Sequence, residues 1–314
     1  GFGKIALLTS DDSSNVFFFN HESFLSPDTL YVANGGGETF EAVQATPEFF
    51  NAEGMTVEQH FAISADGTRV PYFLVLPNGF EADGTTPTLM YGYGGFQVSR
   101  PPVYSATVGH SWLEKGGAYV MANIRGGGEY GPRWHHAALL EKRQRAYDDF
   151  IAVAEDLVVR KVTSPEHLGI RGGSNGGLLT GVMLTQRPDL FNGVIVQVPL
   201  LDMKRYHFLL AGASWMAEYG DPDTDDWDFI SKYSPYHNLD PDADYPVPFF
   251  TTSTRDDRVH PGHARKMVAR MNEMGHELYY YENTVGGHAG ASDYEQLARV
   301  EALVYSYLWD QLGN

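Results

Sequence analysis

The sequence contains no cysteine among its 314 residues, which removes disulfides, thiolate metal centres and a cysteine nucleophile from consideration. The compartment stays open, because a cysteine-free chain suits cytosol and periplasm equally. No run approaches the ~18 consecutive apolar residues that a membrane-spanning helix needs. Basic residues are scarce: 22 Lys and Arg face 40 Asp and Glu, a formal net charge of −18. A surplus of that sign argues against a sequence-independent grip on nucleic-acid phosphates and against an anionic membrane surface as partners. An initiator Met is missing as well. The chain opens on Gly1-Phe2-Gly3-Lys4 with no signal-peptide pattern, so an upstream portion is expected to have been removed or left out. No internal repeat is found.

What is present is a globular composition, 43% hydrophobic, enough to build one large α/β domain or two ordinary ones. Residues 1–55 differ from the rest. Short β-rich runs at 5–9, 16–20 and 30–33 are separated by turn signals that include Gly35-Gly36-Gly37, which predicts an antiparallel meander of three or four strands. Such a meander buries little by itself. From about Val57 onward, through residue 314, apolar strands alternate with helical stretches, the pattern of an α/β domain. Strands are expected at 70–77, 88–91, 118–123, 168–171, 193–198, 247–252 and 277–281. Helices are expected at 134–141, 147–160, 175–186, 262–274 and 292–311. Near-continuous apolar strands such as Val194-Ile195-Val196 fit a mostly parallel sheet covered on both faces.

Within that frame, Gly172-Gly173-Ser174-Asn175-Gly176-Gly177 places one serine between glycines where a strand gives way to a helix. Gly172, Ser174 and Gly176 fit the G-x-S-x-G nucleophile elbow, a tight turn that lifts the hydroxyl above the carboxyl edge of a sheet. Side chains at Gly172 and Gly176 would collide with the neighbouring helix and strand. A serine hydroxyl needs a base within hydrogen-bond reach, and the base needs an orienting carboxylate. Six histidines follow Ser174: His207, His237, His260, His263, His276 and His288. In an elbow fold the partners come in the order acid, then histidine, on loops after later strands. His288 sits in a small-residue loop, Thr284-Val285-Gly286-Gly287-His288-Ala289-Gly290, after the last expected strand. Asp256 and Asp257 both follow the strand before it and are both candidates for the acid, while His260 and His263 compete for the base. An oxyanion hole needs the amide after the serine, that of Asn175, and a second donor from an earlier loop. Tyr91-Gly92-Tyr93-Gly94-Gly95-Phe96 follows a strand where that donor belongs.

These segments resemble the catalytic domain of the prolyl oligopeptidase family, within the α/β-hydrolase fold. Tyr91 to Phe96, Asn123-Ile124-Arg125-Gly126-Gly127-Gly128-Glu129-Tyr130-Gly131, Trp134-His135, Tyr147-Asp148-Asp149-Phe150, Gly172 to Leu178, Asp256 to Val259 and the His288 loop occur in the family's order. The resemblance implies Ser174 as nucleophile, His288 as base and Asp256 as orienter, with Tyr93 and the Asn175 amide as the oxyanion hole. Ser214-Trp215-Met216-Ala217-Glu218-Tyr219-Gly220 looks like the proline-specific branch. It implies an S1 pocket in which Trp215 stacks on proline, completed by Tyr219 and Phe96, with Val259 and Leu200 at other pocket positions. Arg258 is implied as a donor to a peptide carbonyl upstream of the scissile bond. Proline is apolar and rigid and gains from an aromatic face. The family also carries a β-propeller that restricts substrates to short peptides; here only the meander at 1–55 resembles its last blade, so size selection is open.

Other patterns are set aside. Gly126 to Gly131 satisfies G-x-G-x-x-G, but Pro132 and Trp134-His135 follow in place of a small-residue helix start. Asp221, Asp223 and Asp225 imitate a calcium loop that fails at Asp226, where glycine is needed, and at Lys232, where glutamate is needed. His135-His136 finds no further ligands in sequence. The expectation is therefore a serine peptidase with no cofactor and no metal that cleaves short peptides after proline through an acyl-enzyme. An esterase, a peptidase of different P1 preference, and a catalytically silent truncated module are the alternatives.

Overall fold

The computed structural model describes residues 1–10, 13–36 and 39–313. Gly37 of the glycine turn and the terminal Asn314 lie outside them. The chain divides into two compact units, one of residues 1–59, 73–80 and 101–119, the other of residues 60–72, 81–100 and 120–314.

In the first unit, β1 (Lys4–Ser10), β2 (Val16–Glu22), β3 (Thr29–Asn34) and β4 (Phe40–Ala45) form an antiparallel sheet in sequence order. Phe19 stacks on Tyr31 at 5.3 Å and Phe40 meets the Tyr31 ring edge-on at 5.3 Å, cross-strand pairs of the kind that hold a sheet together. β4 has no residue out of solvent, and its sequence, Phe40-Glu41-Ala42-Val43-Gln44-Ala45, does not alternate strictly between apolar and polar, so no strand pattern marks it.

Eight strands make the larger sheet: β5 (Thr56–Ile63), β6 (Arg69–Leu76), β7 (Thr88–Gly92), β8 (Ala118–Ala122), β9 (Leu168–Gly173), β10 (Gly193–Gln197), β11 (Phe249–Ser253) and β12 (Tyr279–Asn283). Their order is β12-β11-β10-β9-β7-β8-β6-β5, and the pairs β7/β9, β9/β10, β10/β11 and β11/β12 are parallel. Leu168, Ile170, Val194, Ile195, Val196 and Phe250 are completely buried, as strands covered on both faces require. The helix Asn175–Gln186 is buried continuously through Leu184, whereas Gln144–Val159 buries one face through Ala146, Tyr147, Phe150, Val153, Ala154 and Leu157. Gly262–Glu273 and Tyr294–Leu312 are the other long helices.

Several boundaries move from their expected places. The helix expected at 134–141 is a short turn, Pro132–His136, followed by a 3₁₀ turn, Leu140–Lys142; Leu140 takes φ 51°, which a continuous helix cannot contain. β11 starts at Phe249 because Pro248 has no N–H to give to a ladder, and its carbonyl accepts the Tyr279 N–H at 2.8 Å. β12 begins later than expected, at Tyr279, in register with Phe249. β5 and the short turns between Tyr206 and His237 carry no periodic signal and were not anticipated.

The β9–helix junction depends on glycine. A Cβ on Gly172 would drive into the Gly176 carbonyl, whereas one on Gly173 would find its nearest atom 3.8 Å away, on Gln197. Gly172→Ala is expected to destabilise the chain by about 3 kcal/mol, and Gly173→Ala to stay within about 1 kcal/mol of the parent. Urea unfolding of the pair measures both, and equal midpoints would show that the junction is not crowded.

Candidate active site

Ser174 sits between β9 and its helix at φ 61°, ψ −118°. A non-glycine residue at positive φ costs on the order of 1–3 kcal/mol and persists only where its surroundings impose it. Here the Ser174 N–H donates to the Gln197 carbonyl at 2.9 Å, and its own carbonyl accepts from Leu178 N–H at 3.0 Å. A Cβ on Gly176 would press on the Gly92 carbonyl of β7, and one on Gly177 on the Gln197 carbonyl. Strand, helix and neighbouring strands thus close on the serine from three sides.

Asp256 follows β11 and His288 follows β12. Because β9, β10, β11 and β12 run parallel, all three loops leave the same edge of the sheet. His288 Nδ1 lies 2.8 Å from Asp256 Oδ2, with 14% and 0% of the two side chains exposed. A carboxylate only accepts, so the proton belongs on Nδ1 and Nε2 is left as the basic nitrogen. Asp256 Oδ1 accepts the main-chain N–H groups of Arg258 and Val259, each at 2.9 Å, which fixes the carboxylate before it meets the histidine. Asp257, the other candidate acid, is exposed. The His288 loop is held by Asn283 at the end of β12. Its Oδ1 accepts from Val285 and Gly286 N–H at 2.9 and 3.0 Å, and its Nδ2 donates to the Gly290 carbonyl at 3.0 Å.

The Tyr93 phenol is near enough to the Ser174 side chain to feel it: burial raises the Tyr93 pKa, opposed by the Arg100 cation, the Ser174 hydroxyl and Arg258. Gly94 and Gly95 keep the loop backbone close to protein atoms: a Cβ on Gly95 would strike the Asn175 side chain, and one on Gly94 would strike Ile124. The Asn123–Gly131 and Tyr147–Phe150 motifs meet as well, through Arg125 Nη2 and Asp149 Oδ1 at 2.6 Å.

Asn175 is fully buried. Its Nδ2 donates to the Tyr93 carbonyl at 2.5 Å, and its Oδ1 accepts from Arg143 Nη2 and from Tyr219 hydroxyl, each at 2.6 Å. Arg143 Nη1 continues to Glu218 Oε1 at 3.0 Å. The same oxygen accepts the Phe96 N–H at 2.9 Å, while Glu218 Oε2 meets His135 Nε2 at 2.8 Å. Burial works against the Arg143 charge, but the Tyr147 and Tyr219 hydroxyls and Glu218 carboxylate keep it protonated. Burial holds Tyr219 far above its ordinary pKa, so it remains a donor. Phe96, at φ 55°, meets the Tyr219 ring edge-on at 5.7 Å. Of the other expected pocket residues, Leu200 and Val259 are buried, Trp215 is half-buried at the end of a 3₁₀ turn, Leu210–Trp215, and Arg258 is exposed.

Arg143 and Asn283 were not singled out in the sequence, and Glu218 and His135 appeared there only inside motifs, with no role. Glu218 had a visible signal, an acid wedged between Trp215 and Tyr219. The competing histidines are occupied otherwise. His260 Nδ1 accepts Gly262 N–H at 2.9 Å, and His263 Nδ1 accepts Leu201 and Asp202 N–H at 3.2 and 3.1 Å. Asp221 and Asp223 come near His207, but His207 Nε2 already bonds Asp223 at 3.0 Å and Lys204 Nζ stands 3.3 Å from it.

The sequence matches the prolyl oligopeptidase family over residues 104–314. An uncharacterised peptidase of Sinorhizobium fredii is 54% identical over 309 residues, covering 98% of this chain and 43% of the relative. A prolyl endopeptidase of Elizabethkingia meningoseptica is 34% identical over 318 residues, covering 100% of this chain and 45% of the relative. Among solved structures, a post-proline cleaving enzyme from Rickettsia typhi matches with a TM-score of 0.92 at 39% identity, over 99% of this chain and 45% of that one. The chain therefore spans less than half the length of the proteins it matches. Its fold is the α/β-hydrolase fold of those catalytic domains.

The buried His263 sets a pH dependence. Burial pushes its pKa from 6.5 down to about 4, so below pH 6.5 the unfolded chain binds a proton that the folded one refuses. Stability is expected to be unaffected by this group above pH 6.5 and to fall by on the order of 3 kcal/mol as pH drops to about 4. Urea midpoints at pH 7 and 5 for the parent and His263→Gln measure it; an equal fall in both proteins would assign the loss elsewhere.

Proposed function

The chain belongs to the prolyl oligopeptidase family, and we propose that it is a serine peptidase that cleaves short peptides on the carboxyl side of proline. Residues 56–314 serve as the peptidase domain and residues 1–55 as a meander like the last blade of a propeller. The observation that carries the proposal is the 2.8 Å pair of His288 and Asp256 on loops leaving the same sheet edge as the strained turn of Ser174.

In the proposed reaction, Ser174 Oγ attacks the carbonyl carbon of the scissile bond while His288 Nε2 takes its proton. The carbonyl oxygen becomes an oxyanion, which accepts from the Tyr93 hydroxyl and the Asn175 amide. As the intermediate collapses, the C–N bond breaks, the amine leaves with the proton from His288, and an acyl ester remains on Ser174. Water then attacks that ester, giving its proton to His288, and the serine regains a proton as the acid product leaves. Asp256 stays ionised throughout and stabilises the imidazolium.

Proline preference is proposed from Trp215, Tyr219 and Phe96, with Leu200 and Val259 as apolar lining and Arg258 as donor to an upstream carbonyl. In its support, the Phe96 and Tyr219 rings are in contact, and both are fixed by Glu218 and Asn175. The prolyl endopeptidase and post-proline cleaving relatives point the same way. Short proline-containing peptides are the proposed substrates.

Ser174→Ala is expected to lower kcat by roughly 10⁴ to 10⁶ and to abolish labelling by a fluorophosphonate; a parent chain that does not label is a silent module. Tyr93→Phe is expected to cost about 100-fold in kcat. Matched chromogenic peptides with Pro, Ala, Phe or Arg before the scissile bond test the P1 assignment, and a preference for Arg would sink it.

A further inference from the structure

Arg100 packs its guanidinium against two tyrosine rings, 4.6 Å from the centroid of Tyr93 and 5.6 Å from that of Tyr91. Its main chain is pinned on both sides. The Arg100 N–H donates to Glu129 Oε1 at 2.9 Å and its carbonyl accepts Asn123 Nδ2 at 2.9 Å. Asn123 Nδ2 also reaches Glu129 Oε1 at 3.2 Å, which ties the two anchors together. The buried Arg100 Nε has no hydrogen-bond partner among the described residues, so the cation is placed by its backbone and by the rings it faces.

A cation on the π-face of a phenol draws electron density from the ring, and a poorer ring makes the hydroxyl a stronger hydrogen-bond donor. Such a gain is worth little to a neutral carbonyl and more to an oxyanion, so it favours the transition state over the bound substrate. We infer that Arg100 is a positioning residue for Tyr93, orienting its ring and strengthening its hydroxyl as a donor to the oxyanion. The inference rests on the proposed role of Tyr93. The electrostatics agree: against the burial that raises the Tyr93 pKa, Arg100 is the largest opposing influence.

A double-mutant cycle on the full chain tests this with a chromogenic peptide carrying proline before the scissile bond. Arg100→Met is expected to lower kcat about tenfold with KM within about twofold, and Arg100→Lys, which keeps the cation, to recover part of the loss. In a Tyr93→Phe background, Arg100→Met is expected to change kcat by less than about twofold, since no hydroxyl remains to strengthen. Arg100→Gln takes the place of the Met variant if urea unfolding shows that variant to be unfolded. An undiminished kcat in the Arg100 variants, or an equal loss in both backgrounds, would overturn the inference while leaving Tyr93 in the oxyanion hole. A Tyr93→Phe enzyme at full rate would remove both.

Discussion

The site depends on a backbone conformation that serine does not choose for itself. At φ 61° Ser174 can exist only because the chain on either side of it is more crowded than the alternatives: Gly172 abuts Gly176, Gly176 abuts Gly92 of the adjoining strand, and Gly177 abuts Gln197. Each of those contacts is with main-chain atoms, which cannot rotate away as a side chain would. The fully buried helix behind the turn supplies the stability that offsets the strain. Because Asn175 directly follows Ser174, the proposed nucleophile and the proposed oxyanion amide belong to one turn and depend on the same constraint.

The second organising group is the Glu218 carboxylate. It accepts from Phe96 N–H and from Arg143, and it meets His135; Arg143 and Tyr219 then fix the Asn175 side chain, which holds the Tyr93 carbonyl. The Arg143–Glu218, Arg143–Asn175 and Tyr219–Asn175 bonds are buried, and removing one partner of the Arg143–Glu218 ion pair strands the other at a cost of about 3–5 kcal/mol. A pair so buried is weak evidence of added stability, since apolar residues could replace it. What apolar residues could not do is hold Phe96 at positive φ and Asn175 in one orientation at once. The network therefore reads as a device for geometry, joining the Phe96 and Tyr219 rings to the Tyr93 loop.

Much of this was legible in the sequence because the chemistry is local there. A glycine-flanked serine after an apolar run marks the elbow, and loops after successive strands mark His288 and the Asp256-Asp257 pair by their order. The choice between Asp256 and Asp257 was not legible from the residues, since it turns on which carboxylate receives the Arg258 and Val259 N–H groups. Glu218, Arg143 and His135 were hidden for a different reason. They are 75 to 83 residues apart in the pairs they form, and no local period signals that charged side chains so far apart will share a buried site. β12 was shifted because register against Phe249 outweighs the local β-propensity of residues 277–281, and β4 was missed because an exposed strand needs no apolar alternation.

The three members of the site also differ in how firmly they are anchored, and the difference follows their roles. Ser174 lies between core strand β9 and a core helix, with main-chain bonds to Gln197 of the adjoining β10 and to Leu178 of the helix. Asp256 has its carboxylate committed to two amides of its own loop. His288 stands in a loop whose tie to the sheet is Asn283, with Thr284, Val285 and Ala289 in solvent. In the proposed reaction the serine meets an oxyanion hole built on the same turn and gains from rigidity. The histidine would reach the serine in one step and the leaving amine in the next, so its ring needs a fixed axis more than a fixed position. The Asp256–His288 bond supplies that axis: it sets the tautomer and direction of the imidazole from a rigid loop, and the histidine's own backbone is left with few other constraints.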